Sequence, residues 1–505
     1  MRRSRSLGLG WPVLGSDPQD RSPGGFFTTM TEVSVLTISR ALARQVRAVF
    51  KRTFSGPPRS AVWVRLLAAA DGLRIQAPTE QVAIEFHLTG AFEPGEWLVP
   101  LELLAACEGK SSDPVQLATD AAGHVVAEWL ENGIPQRYAA AQPPENLAGF
   151  PPRPVALVSN SPELLSALVE AGKTTDAQSS RFALDCLSLR GESGNIVATD
   201  GRQLLAQSGW QFPWSGDVLV RANRVFSSPE LPKDQPVQVG QVDDWVTFAI
   251  GGWSIYLRTP EDARFPKVDD LVRNVEMARS RLTISAGDAR FAIDALKRLP
   301  VGDDDSKGIT LDLNGEVLLR ARSAITEPAT ELHLVNSQLT GESVRLVSAR
   351  EFLRRALSLG FTEFSLFGSN TTLQAGDARR DYIWMPCAEA CAVPADVDTR
   401  RITSPNATHS SRKRNARPAA EPIQVSAAAA VQTNSVPEPV ETMPETKPMP
   451  SATASPIEQV CDLRDVLSDV LAKTNQLLRS LKLQRKQSRR VETTLQSLKQ
   501  LQQVA

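Results

Sequence analysis

Hydrophobic and polar positions follow the same order three times between about residues 33 and 387. Each unit opens with a stretch whose apolar residues recur at three- and four-residue spacings, predicting amphipathic helices at 38–50, 162–175 and 286–299. A hairpin follows each helix. In the first unit 62–69 turns at Asp71-Gly72 into 73–77, and in the third 309–313 turns at Asn314-Gly315 into 317–321. In the second, an alternating run 181–189 turns at Ser193-Gly194 into 196–199, followed by a tight Asp200-Gly201 turn and the apolar pair Leu204-Leu205. A short strand then runs into a second helix at 97–107, 218–226 and 344–357. Alternating segments close each unit: 115–119 with 124–130, then 237–239, 245–250 and 254–258, then 363–367, 372–374 and 382–385. The pattern predicts an α+β chain of three tandem domains, 30–151, 152–276 and 277–392. Their edges fall at Pro151-Pro152-Arg153-Pro154 and in the charged stretch 269–276.

The flanks read differently. Residues 1–29 are expected to be a disordered extension, with Met30 an alternative start; Trp11-Pro12 and Asp17-Pro18 interrupt any apolar core of a secretory leader. Residues 393–456 are rich in Pro, Ala, Ser, Thr and Glu and are expected to be a disordered linker, with a basic cluster at Arg412-Lys413-Arg414 and Arg417. From Val460 to Leu498 apolar residues alternate at spacings of three and four, interrupted by Thr474, Gln484 and Ser488. That seam predicts a coiled-coil helix over 457–505 that self-associates or binds another protein, with a basic face at Arg485, Lys486, Arg489 and Arg490.

Composition narrows the function classes. There are 56 Lys and Arg against 57 Asp and Glu, so any role for charge depends on its distribution. No apolar run is long enough for a membrane span. Five scattered cysteines fit a reducing cytoplasm. The sequence contains no Gly-rich phosphate loop, HExxH, paired CxxC or nucleophile elbow. Its four histidines are isolated, Cys387 and Cys391 lack a second ligand pair, and Asp303-Asp304-Asp305 reads as a solvated turn. The expectation is a protein without catalysis, metal or cofactor.

Three motifs carry more. Thr199-Asp200-Gly201-Arg202-Gln203-Leu204 is a turn between strands; Arg264-Phe265-Pro266 reads as a linker; Tyr382-Ile383-Trp384-Met385-Pro386-Cys387 reads as a last buried strand. In this order and spacing they resemble the bacterial DNA sliding clamp, the β subunit of the replicative DNA polymerase. The resemblance covers about residues 33–388. It implies a groove for partner peptides walled by Thr199, Gly201, Arg202, Leu204, Pro266, Leu271, Ile383, Trp384, Met385 and Pro386. The chain departs from the family at Arg202-Gln203, where clamps carry His-Arg, at Asp270, where they carry Arg, and at the bulkier Trp384. It also continues more than a hundred residues beyond the family's end. The resemblance further implies a homodimeric ring around double-stranded DNA, with a DNA polymerase and a clamp loader as partners.

Helix faces add a charge pattern. Arg40, Arg44, Arg47 and Lys51 share one side of the first helix. Arg350 with Arg354, Arg290 with Lys297, and Arg221 with Arg224 repeat the arrangement, while the second unit's first helix carries only Lys173 near its end. Such faces suit either phosphates or plain solvation. Two functions remain open at this stage: a sliding clamp, or an interaction protein that keeps the clamp fold without the ring.

Overall fold

The computed structural model describes residues 34–55, 61–177, 182–302, 307–324, 326–396 and 398–405. The N-terminal extension, Asp303-Asp304-Asp305, the basic cluster at 412–417 and the coiled-coil segment 457–505 lie outside the described residues.

The first unit runs β1 (Val35–Ser39), α1 (Arg40–Thr53), β2 (Trp63–Ala69), β3 (Gly72–Pro78), β4 (Val82–Thr89), β5 (Gly95–Pro100), α2 (Leu101–Cys107), β6 (Pro114–Thr119), β7 (Val125–Glu131) and β8 (Ile134–Ala139). The second runs β9 (Val158–Asn160), α3 (Glu163–Gly172), β10 (Cys186–Arg190), β11 (Asn195–Thr199), β12 (Gln203–Gln207) and β13 (Asp217–Arg221). A 3₁₀ turn (Arg224–Ser227), β14 (Val237–Val242), β15 (Trp245–Ile250) and β16 (Trp253–Arg258) complete it. The third runs β17 (Ser280–Thr283), α4 (Ala286–Arg298), β18 (Gly308–Leu313), β19 (Val317–Ala321), β20 (Thr330–His333), β21 (Gln338–Gly341), β22 (Val344–Ala349), α5 (Arg350–Ser358), β23 (Glu363–Leu366), β24 (Leu373–Gly376) and β25 (Arg380–Trp384). A further strand, β26 (Arg400–Thr403), follows.

Local chemistry sets these elements. Ser39 begins α1 by accepting from Leu42 N at 3.1 Å, and Ser285 begins α4 by accepting from Asp288 N at 3.2 Å. On α1 the residues Ala43, Val46, Val49 and Phe50 are buried, one helical stripe against the sheet. The expected second helix of the middle unit is reduced to the 3₁₀ turn. Asn223 caps it, and Pro229 and Pro232 follow too closely for another helical turn.

Each unit contributes two half-sheets. The order β5-β2-β3-β4 continues into β16-β15-β14-β9, joining the first half of unit one to the second half of unit two. The order β13-β10-β11-β12 continues into β25-β24-β23-β17, joining units two and three in the same way. Both joins are antiparallel, Ile255 opposite Ile84 and Leu204 opposite Ile383. Two half-sheets remain: β1-β6-β7-β8 from the first unit and β22-β18-β19-β20 from the third. Helices line up on the joined sheets. α1 packs on α2, the 3₁₀ turn contacts both α1 and α3, and α4 packs on α5. One core spans units one and two; the core of unit three takes in Leu205 from β12.

β26 lies in the segment expected to be disordered. It pairs in parallel with β20, Thr330 opposite Arg400 through His333 opposite Thr403. Ser404, just beyond it, is buried. Composition alone misreads 393–405 because the strand is held by polar contacts and buries almost no apolar surface.

Candidate functional site

The Asp-Gly turn between β11 and β12 is built by its own side chains. Asp200 Oδ1 accepts from Arg202 N at 2.8 Å and Gln203 N at 2.9 Å. Thr199 Oγ1 accepts from Gly201 N at 3.0 Å and donates to Gln203 O at 2.7 Å. Gly201 adopts φ +86°, the left-handed region that favours glycine. The turn holds β12 in register with β25, and Arg202 O accepts from Met385 N at 3.0 Å. Tyr382 Oη donates to Gln203 Oε1 at 2.5 Å across the same junction.

Strand alternation then sorts the motif residues onto two faces. Leu204 and Ile383 face outward and cluster with Val197 and Val268, flanked by Phe265. Leu205, Tyr382 and Trp384 face the other way, into the third unit's core. Trp384 is therefore not a groove wall, contrary to expectation. Its indole is fully buried and Nε1 donates to Ser348 Oγ at 2.9 Å. Pro266 is half-buried on the segment that crosses the outer face. Leu271 and Met385 are exposed, and Pro386 is half-buried beside Met385.

The crossing segment fills part of the groove. Val268 sits over Leu204 and Ile383 and leaves each only 2% exposed. An open hollow of about 260 Å³ continues alongside, floored by Val197, Ala206 and Val272 and rimmed by Arg190, Asp269, Arg379 and Asp381. The sequence reading missed these positions, although Val197, Leu204 and Ala206 share the face that strand pairing dictates. Arg190 binds Asp269 and so pins the crossing segment to β10. Gln374 receives Arg273 N at 3.1 Å and donates to Arg273 O at 3.2 Å, anchoring its far end. Burial raises the Asp381 carboxyl above its ordinary range; a hydrogen bond from Gln374 opposes this, and the nearby Asp377 charge adds to it.

The helix face divides the predicted cations. Arg40 is buried; it donates to the carbonyls of Cys107 and Glu108 at the end of α2 and pairs with Glu131 at 2.8 Å. Arg350 is buried too, donating to the carbonyls of Leu299, Pro300 and Lys307 at the end of α4 and beyond. Both were expected to face DNA. Instead each caps the C-terminus of a neighbouring helix, where carbonyls lack intrahelical donors. Arg47 is held by both oxygens of Glu108, Arg221 pairs with Asp185 at 3.1 Å, and Lys297 pairs with Asp294 at 3.3 Å. Arg44, Lys51, Arg224 and Arg290 are exposed, and Arg354 is half-buried; none pairs with a carboxylate among the described residues. Arg355 joins α5 to α3, donating to Glu170 O at 2.7 Å, Lys173 O at 3.1 Å and Thr174 Oγ1 at 2.6 Å.

No group of acids, cysteines and histidines suited to a metal occurs among the described residues. No described helix is long and apolar enough to cross a membrane.

No family model matches the sequence, and no curated protein sequence does. Solved structures do match. A sliding clamp (DNA polymerase III subunit beta) from Pseudomonas aeruginosa, bound to griselimycin, aligns at 18% identity over 70% of this chain and 100% of its own, with a TM-score of 0.59. The DNA polymerase sliding clamp from Bacillus subtilis aligns at 14% identity over 70% and 99%, with a TM-score of 0.60. DNA polymerase III subunit beta from Borrelia burgdorferi, in complex with a natural product, aligns at 12% identity over 71% and 99%, also at 0.60. The described chain thus has the fold of bacterial DNA sliding clamps. The match spans nearly the full length of each neighbour and leaves about 30% of this chain outside it.

Proposed function

We propose that the chain is a sliding clamp of the bacterial type, with clamp domains at 30–151, 152–276 and 277–392. The observation that carries this is the pair of unmatched half-sheets. Within the chain, the first half of one unit always joins the second half of the next. The first half of unit three and the second half of unit one are therefore a complementary pair, which two copies of the chain satisfy by closing head to tail. Such a ring would encircle double-stranded DNA with its helices inward. Arg44, Lys51, Arg224, Arg290 and Arg354 would meet phosphates without reading bases, Arg47, Arg221 and Lys297 adding partly neutralised charge.

The groove would take a peptide from the replicative polymerase or a clamp loader. Leu271, Met385, Pro266 and Pro386 offer accessible apolar contacts around Val268, which covers Leu204 and Ile383 beneath it. Thr199, Gly201 and Arg202 shape the wall. The ring acts by topology and tethering, not by making or breaking bonds, and it serves cytoplasmic replication. The tail, 457–505, would associate with its copy in the dimer or with another protein.

Retention on nicked circular DNA, lost when the circle is cut, tests this in a chain whose β20 edge has been cleared of β26 by Arg401→Glu and Ser404→Ala. Equal retention on both forms overturns it. The interaction-protein reading has one observation in its favour, the strand β26 on the edge where closure would occur.

A further inference from the structure

β20 is the third strand after the first helix of its unit, as β4 and β12 are in theirs. β4 uses its outer edge to pair with β16, and β12 uses its outer edge to pair with β25. β16 and β25 are the last strands of their units. By the same rule the outer edge of β20 matches β8 of a second copy. In this structure that edge is already taken, with β19 on one side and β26 on the other.

We propose that Arg400–Thr403 is an intramolecular latch that occupies the closing edge and must leave before a second copy can pair there. This rests on the sliding-clamp reading. The pairing is parallel, whereas both junctions inside the chain are antiparallel, so β26 takes the place of a domain strand without imitating one. An unpaired edge is also a hazard for indiscriminate association, and a strand laid along it removes the hazard.

The hold is polar and local. Arg400 N donates to Ala329 O at 2.8 Å and Ser404 N to His333 O at 2.9 Å. Arg401 pairs with Glu331 at 2.7 Å. Ser404 is buried and receives Val335 N at 3.1 Å, and Asn336 Nδ2 donates both to Asp288 at 2.9 Å and to the carbonyl of Pro405 at 3.1 Å. All four residues of β26 are exposed, and Ile402, its one aliphatic side chain, is 39% exposed. A strand with polar anchors and no apolar anchor can exchange for a competing strand without opening a core. The opposite end of the chain is ready for that competitor: β8 is an outermost strand, and Ile134 and Leu130 beside it are exposed.

The test uses the full chain carrying Arg401→Glu and Ser404→Ala together, read by amide hydrogen exchange over a range of protein concentrations. In the unsubstituted chain the amides of Arg400, Ile402 and Ser404, which face β20, should be protected and the outer amides of β8 should exchange at the same rate at every concentration. In the substituted chain those three should lose protection at least tenfold, and the outer amides of β8 should gain it as concentration rises. Adding Arg137→Pro in β8, whose amide faces away from β7, should abolish that gain. Two results overturn the latch: an unsubstituted chain whose β8 is protected by a second copy while those three stay protected, or a released chain whose β8 never becomes protected. A released chain that closes but is not retained on nicked circles would leave the latch standing and refute the sliding-clamp reading instead.

Discussion

Replacing Arg355 by Met should loosen the junction between the second and third units. The guanidinium makes three hydrogen bonds to the end of α3, at 2.6–3.1 Å, and its carbon lies 5.8 Å from the centre of the Tyr382 ring. Two of the acceptors are carbonyls at or just past a helix C-terminus, where a cation is favoured. Met keeps the aliphatic stem and removes all three donors. Hydrogen bonds from a charged group contribute about 1.5–3 kcal/mol each, and they are not additive, so the expected loss is about 2–4 kcal/mol. At 1.4 kcal/mol per factor of ten, amide exchange in the β12–β25 ladder should accelerate roughly 30- to 700-fold. Amides of the β18–β19 hairpin, within the third unit, should be unaffected. Acceleration below about fivefold would refute the reasoning, because Arg355 would then be exchanging its contacts for water at no cost.

Other outcomes follow from the same geometry. Met385→Ala should weaken a clamp-type peptide, with Gln followed by Leu and an aromatic residue, by about 1–2 kcal/mol in calorimetry, whereas Trp384→Phe should act on stability by losing its bond to Ser348. Changing Arg44, Lys51 and Arg224 together to Glu should lower the salt slope of DNA binding by roughly one unit per lost phosphate contact, and Arg40→Glu should unfold the first unit instead. Acid should release β26. Burial raises the pKa of Asp288, but bonds from Ser337, Ser404 and Asn336 outweigh that and hold the carboxyl below its ordinary range. The stability it contributes is thus present above about pH 4 and lost as pH falls through the lower folded value. Protection of the Ile402 and Ser404 amides should fall over that range, and Asp288→Asn should show most of the loss already at neutral pH.

The repeat was legible because its signals are local. Helix periodicity, Gly-bearing hairpin turns and the Asp200-Gly201 turn each depend on neighbours a few residues away. The strands that join the units were less so. β4, β8 and β20 announce themselves weakly, since pairing with a distant strand, and not their own pattern, decides their use. Trp384 was misplaced onto the groove because a motif match does not carry strand parity; its neighbours Ile383 and Met385 point to the face it avoids. Arg40 and Arg350 were misread for a related reason. Helical spacing puts them on a row with the exposed cations, but each stands at the first position of its helix, where it reaches the end of a neighbouring helix, α2 for Arg40 and α4 for Arg350. Val268 carried no signal at all, because what it covers is set by the path of a linker.

The central claim is that β8 of one copy and β20 of another close the ring. Cysteines at Arg137→Cys in β8 and Thr330→Cys in β20, with Cys387, Cys391 and Cys461 replaced by Ser, place a reactive pair across that junction. A flexible bismaleimide should link them between copies on nicked circular DNA once Arg401→Glu and Ser404→Ala free the edge. The account predicts covalent rings that stay on the circle in denaturing detergent and leave it when it is cut. Linked rings that wash off intact circles, or cysteines that never link between copies, would contradict it.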